Sequence, residues 1–168
     1  MDHAPSVRSV LELLSVALVM ERAAAARYAD LAHRMAEREH DELADLFTRL
    51  GRLERDHARF IERRLAGKKP LQSAVTASAE WVALDEEAPL TPHAVLLAAL
   101  RSEVDAKTHF ERIAAAAQEA AVRRLAEDMA AEEAEHIDRI AAALALHPGP
   151  AADWSDPNVA AAARLLGD

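Results

Sequence analysis

Two Glu-x-x-His pairs, Glu54/His57 and Glu133/His136, and two lone glutamates, Glu21 and Glu103, are the residues of this 168-residue chain whose types and spacing could do chemistry. Residues three or four apart share one face of a helix. At that spacing Leu14, Leu18, Glu21, Ala25 and Tyr28 form one stripe, and Phe47, Leu50, Glu54, His57 and Ile61 form a second. Leu96, Ala99, Glu103, Ala106 and Phe110 form a third, and Val122, Met129, Glu133, His136 and Ile140 a fourth. In each stripe an acid or an imidazole stands where a helical core wants leucine. An isolated carboxylate is very costly in such surroundings, so buried charges are paired or coordinate metals. One Glu from each of two helices, with Glu-x-x-His from each of the other two, is the ligand set of a di-iron or di-manganese carboxylate site.

Four long helices must position these side chains. The pattern predicts a first helix over about 6–36 with Ser6 as its cap, and a second over about 40–66, stopped at Gly67. A third follows Thr91-Pro92, a capping residue with proline at the first helical position, and runs to about 117. The fourth spans about 119–146 and ends at His147-Pro148-Gly149-Pro150. Glu21 and Glu54 lie 33 residues apart, so an antiparallel hairpin that sets them side by side turns near 37–38, where the apolar pattern breaks. Glu103 and Glu133 lie 30 apart, which places the other turn at Gln118-Glu119. The halves read as one repeated hairpin: a Glu, an aromatic seven residues later (Tyr28, Phe110), a turn, then Glu-x-x-His. The connection between them, Gly67 to Thr91, is long enough to travel the length of the bundle, which implies ferritin-like connectivity with the second and third helices parallel. Trp81 and Leu84 are expected to pin it to the side of the bundle. The expected architecture is therefore an all-α, ferritin-like four-helix bundle over 1–150 with a long crossover. An extension over 151–168 carries a short helix that packs on the bundle or on a second subunit, and Trp154, Val159 and the Ala160–Leu166 segment suggest a homodimer.

The composition narrows the function. A net charge of −9 argues against nucleic-acid or anionic-membrane partners. Eight histidines without a cysteine allow nitrogen and oxygen metal sites and exclude thiolate sites, disulfides and cysteine-ligated clusters. The apolar stretch from Val10 to Met20 contains Glu12 and Ser15 and runs in helical register into Glu21, so it reads as a core helix, not as a secretion signal or a membrane span. A cytoplasmic protein is expected.

A lone Glu-x-x-His is weak, and Glu37-Arg38-Glu39-His40 is a third example that falls in the turn and is assigned no role. The other two pairs lie on core stripes, each with a glutamate at matching height. The competing readings are surface charges on alanine-rich helices, or a buried polar network without metal. The latter needs every carboxylate satisfied internally, and no Lys or Arg is expected at those levels, Lys107 lying off the stripe. Tyr28 reads first as core and second as a hydrogen-bond donor to a ligand carboxylate. His109 reads as a surface or interface residue, and the flanking Glu132 and Glu135 as solvated.

Glu21 with Tyr28, Glu54-Arg55-Asp56-His57, Glu103 with Phe110, and Glu133-Ala134-Glu135-His136 together resemble the rubrerythrin branch of the ferritin-like di-iron proteins, over about residues 6–146. The resemblance implies two iron ions, with manganese or zinc as possible occupants. Glu54 and Glu133 would bridge them; Glu21 and His57 would hold one, and Glu103 and His136 the other. It also implies an external electron donor, a rubredoxin-like or flavin protein, because the rubredoxin-like tail of full rubrerythrins needs four cysteines. Rubrerythrins carry a further glutamate near the third-helix ligand, where the neighbours here are Leu100 and Ala106. The expected activity is a non-haem di-iron oxidoreductase that reduces peroxide or O2 through Glu21, Glu54, His57, Glu103, Glu133 and His136, with Tyr28 behind them. Ferritin-like Fe(II) oxidation and iron handling is the second reading. A non-catalytic metal-binding bundle is the third.

Overall fold

The computed structural model describes residues 7–71 and 90–149. Four helices account for nearly all of them: α1 (Val10–Ala36), α2 (Asp41–Leu65), α3 (Pro92–Ala116) and α4 (Ala120–Leu146). The described residues contain no strand. The Trp81/Leu84 contact and the C-terminal short helix lie outside them.

Local chemistry sets the helix ends. Ser9, not the expected Ser6, caps α1: its Oγ accepts the Glu12 amide at 3.2 Å. Ser9-x-x-Glu12 has the spacing of a capping box, which outweighs an earlier serine with no acid three residues on. Glu39, with φ of 60°, makes the tight turn into α2. At the far end of α2, Ala66 and Gly67 take φ of 49° and 79°, the left-handed stop that glycine favours. Thr91 Oγ1 accepts the Ala94 amide at 3.3 Å, and Pro92 occupies the first helical position of α3. Residues 117–119 link α3 to α4, within a residue of the expected turn.

Two apolar clusters fill the bundle. One joins the start of α1 (Leu13, Leu18), the end of α2 (Ile61, Leu65), the end of α3 (Phe110, Ile113) and the start of α4 (Val122, Leu125). The other joins the end of α1 (Leu31, Met35), the start of α2 (Phe47, Leu50), the start of α3 (Leu96, Leu100) and the end of α4 (Ile140, Leu144). Helices α2 and α3 therefore run parallel, and the chain must travel the length of the bundle between them. That is the ferritin-like crossover. Leu71, the last described residue on its α2 side, is tied to the bundle: its amide donates to Ser15 Oγ at 3.0 Å, while that hydroxyl donates to Leu11 O at 2.6 Å. Close approach of α1 and α2 depends on Gly51, where a Cβ would meet Tyr28 Cβ at 3.2 Å. Between the clusters lies a layer that is not apolar.

Candidate metal centre

The four helices bring all six expected residues into that layer. Glu21, Glu54, Glu103, Glu133 and His136 are buried. His57 is half-buried, its side chain 25% exposed at the α2–α4 side. His136 stands at the centre, with Nδ1 3.0 Å from Glu54 Oε1, 3.4 Å from Glu103 Oε2 and 3.4 Å from Glu133 Oε2. The His57 ring stacks on the His136 ring at 5.7 Å, and His57 Nδ1 lies 3.6 Å from Glu21 Oε2. Two donor groups emerge, each with its ligand atoms within 4.8 Å of one another: Glu54, Glu103, Glu133 and His136, and Glu54, His57 and His136. Glu54 and His136 are common to both.

Electrostatics show how uneasy this cluster is on its own. Burial raises the Glu21 carboxyl to about 7, helped by the charges of Glu133 and Glu132. Burial and neighbouring Glu21 raise Glu54 to about 8 against the pull of His136. Burial also holds the Glu133 carboxyl well above the ordinary range. For His136 burial disfavours the charged ring, but Glu103, Glu133 and Glu54 together reverse that and push it up to about 12. Burial works against the Glu103 charge too, yet contacts from His136, Glu133 and Tyr28 keep its carboxyl below the usual value.

The donor set fits metal ions. Glu21 Oε2, Glu54 Oε1 and His136 Nδ1 are buried and make no hydrogen bond. Glu54 Oε1 and His136 Nδ1 are within 3.0 Å yet lack hydrogen-bond alignment, as expected for two donors aimed at a shared third point. Oxygen and imidazole donors suit iron, manganese or zinc.

Residues 12–88, which include Glu21, Glu54 and His57, match the family model of rubrerythrin. The crystal structure of an uncharacterized conserved protein from Magnetospirillum magnetotacticum MS-1 is similar over 86% of this chain and 99% of that one, with a TM-score of 0.74 and 26% identity. The chain has the ferritin-like fold and is similar to rubrerythrin over residues 12–88. No curated protein matches it. No helix among its described residues is long and apolar enough to cross a membrane.

Two features of this rubrerythrin-like bundle were not expected from sequence. Arg27 is buried at the level of the cluster, its side chain only 10% exposed and its Nη2 3.6 Å from Glu103 Oε1. The expectation of no cation at this height is therefore wrong. Arg27 falls about 100° off the α1 stripe, but its long side chain folds back over the Tyr28 ring, with the guanidinium carbon 5.4 Å from the centroid. The second feature is Glu132. It is half exposed, as expected for a residue off the stripe, yet its Oε2 comes within 3.9 Å of His57 Nδ1. The adjacency of each to a stripe residue, with a side chain long enough to return, was the available signal. Tyr28 fills both of its expected roles: it is fully buried beside Phe47, and its hydroxyl donates to Glu103 Oε1. Lys107 pairs with Glu111 on the partly exposed side of α3 and stays out of the cluster.

Proposed function

We propose that this protein binds two iron ions between Glu21, Glu54, His57, Glu103, Glu133 and His136 and works as a non-haem oxidoreductase that reduces peroxide or O2. The observation that carries this reading is the set of buried donor atoms on Glu21, Glu54 and His136 that no protein hydrogen bond satisfies. A protein that needed only a polar core would pair them, because an unsatisfied buried group costs roughly 1–3 kcal/mol and a charged one more. Glu54 belongs to both donor groups, which supports it as a bridge; Glu133 would be the second bridge by the resemblance to rubrerythrins, although it falls in one of the two groups. Glu21 and His57 then serve one ion, Glu103 and His136 the other.

Held by these residues, a di-iron pair would supply the two electrons that reduction of an oxygen–oxygen bond takes. The chain supplies the rest. Six side chains would fix the pair, and the two apolar clusters close the layer above and below, leaving His57 at its partly exposed side. Tyr28 holds Glu103 by its hydroxyl and leaves the other oxygen, Oε2, facing His136. Protons held by Glu21 and Glu54 at neutral pH must leave when ions bind, so binding is coupled to proton release.

In this reading electrons come from a rubredoxin-like or flavin donor, because the cysteine-free bundle holds no thiolate-ligated redox centre. The working unit in this reading is a homodimer, which light scattering would report at twice 18.3 kDa. The functional test is anaerobic loading with Fe(II), followed by a peroxide pulse. Stoichiometric consumption of peroxide with oxidation of the bound iron supports the reading. Bound iron that peroxide and air both leave reduced would refute it.

A further inference from the structure

The second half of α2 is a basic face on an acidic protein. Between Arg49 and Lys69, eight Lys and Arg are exposed and only two acids, while the whole chain has a formal net charge of −9. Both acids are already used: Asp56 pairs with Arg59 at 3.0 Å, and Glu62 with Arg22 of α1 at 2.7 Å. Arg63 and Arg64 stand in the last turn, where any helix favours cations. Arg49, Arg52 and Arg59 lie further back and have no such reason. At the helical period Arg52, Arg59 and Arg63 share the side of α2 opposite the buried Glu54 and Ile61, so they face away from the bundle.

An aromatic ring sits in this face. Phe60 is 51% exposed, one of two large apolar side chains that the described residues leave in solvent. The guanidinium carbons of Arg64 and Arg63 lie 5.6 Å and 6.0 Å from its centroid. Phe60 also borders a groove of about 570 Å3 between α2 and α4 whose wall includes His57. His57 alone among the six expected ligands is not fully buried. Asp128 and Glu132 of α4 bound the groove on its far side.

We propose that this face of α2 is the docking surface for an acidic electron-carrier protein. Unpaired cations in such number favour an anionic partner. Exposed arginines around an aromatic ring are the side chains enriched where proteins bind proteins. A nucleic acid or an anionic membrane would extend past the patch onto the acidic remainder of the chain. A second copy docked through the same face would set like charges together. A compact acidic protein meets neither obstacle. That it carries electrons rests on the proposed function: His57 is the ligand a docked partner can approach. The carrier gives up two electrons for each peroxide, and peroxide with two protons leaves as two waters.

The test uses the full chain and an acidic rubredoxin as the probe. Calorimetry with the zinc-loaded chain and oxidised rubredoxin reads docking without turnover. The wild type should bind one rubredoxin per chain, and affinity should fall at least tenfold as ionic strength rises from roughly 0.01 M to roughly 0.15 M, because screening shortens from about 30 Å to about 8 Å. Arg52→Glu/Arg63→Glu should lose at least tenfold at the lower strength. Arg38→Glu/Arg139→Glu, the same charge change at the other end of the bundle, should stay near wild type. In stopped flow the iron-loaded, peroxide-oxidised chain should take electrons from reduced rubredoxin in the same order of variants, while dithionite, which needs no docking, reduces all of them alike. Equal losses in the two double variants, or no binding to the wild type at low ionic strength, would overturn the proposal and leave the two-metal reading intact. So would a short DNA duplex that binds this face more tightly than rubredoxin does, or docked rubredoxin that cannot reduce iron which dithionite reduces. Iron that peroxide never oxidises would refute the proposed function, and with it the electron-carrier role, even where rubredoxin binds.

Discussion

Tyr28 on α1 donates its hydroxyl to Glu103 on α3 across the core of the bundle. The two residues are 75 apart in sequence and belong to different hairpins, so this bond ties the halves of the repeat at the height of the metal centre. It also uses Glu103 Oε1 and fixes which oxygen, Oε2, is turned to His136.

Tyr28→Phe keeps the ring that stacks on Phe47 at 5.8 Å and removes only the hydroxyl. A hydrogen bond to a charged group contributes about 1.5–3 kcal/mol, so the metal-free variant should unfold at lower denaturant by that order. Loss of such a partner to a ligand costs roughly 10–100-fold in metal affinity. Competition with a zinc chelator checks the second effect and denaturant melts the first. A variant that matches wild type in both would show the hydroxyl contact to be idle.

Glu133→Leu separates ligand from mere buried acid. Burial already favours the neutral Glu133 carboxyl, so replacing it with leucine should leave the metal-free fold intact or raise its stability by about 1–3 kcal/mol. It should abolish tight binding of both ions, because a bridge serves both. Two bound irons in the variant would show that the bridging assignment is misplaced.

Metal-free stability should fall as pH rises from about 5 to about 8. Glu21 and Glu54 have folded values near 7 and 8, above the ordinary carboxyl value. His136 is likewise raised. In each case the folded state holds more protons than the unfolded chain, so their stabilisation is complete at low pH and lost as pH rises through the folded values. Glu103 is lowered, and its contribution changes only below the ordinary carboxyl range. With zinc or iron present the slope should reverse over the same window, because metal must displace those protons. Thermal melts at a series of pH values, with and without metal, read both slopes.

Gly51→Val tests the close approach of α1 and α2. A Cβ there sits 3.2 Å from Tyr28 Cβ and 3.5 Å from Ala25 O, so the branched side chain must push the helices apart. Overpacking of this kind costs typically 1–3 kcal/mol. Melting of the metal-free variant measures it, and wild-type stability would mean that the hairpin yields more easily than its packing indicates.

Much of this architecture was legible because the site and the core share one helical period. Glu21, Glu54, Glu103, Glu133 and both imidazoles replace apolar residues on stripes that locate the helices, so one pattern showed both. The turns followed from matching the heights of paired glutamates. The parallel α2 and α3 followed from the length of the link between them. Arg27 and Glu132 were not legible as parts of the centre, because each leaves the stripe by one residue and returns only through a long side chain. Ser6 and Ser9 both precede the first stripe, and the cap falls on Ser9 because only it has an acid three positions on. Gly51 was equally visible as a glycine inside a helix, yet what it makes room for, Tyr28, becomes clear only when two helices are placed together.

The most direct test of the two-metal reading is anomalous diffraction at the iron edge from crystals of the protein reconstituted with Fe(II). The account predicts two peaks per chain, roughly 3.5–4 Å apart, enclosed by Glu21, Glu54, His57, Glu103, Glu133 and His136. A reconstituted crystal with no peak among these six residues, or with one ion bound by other side chains, would contradict it.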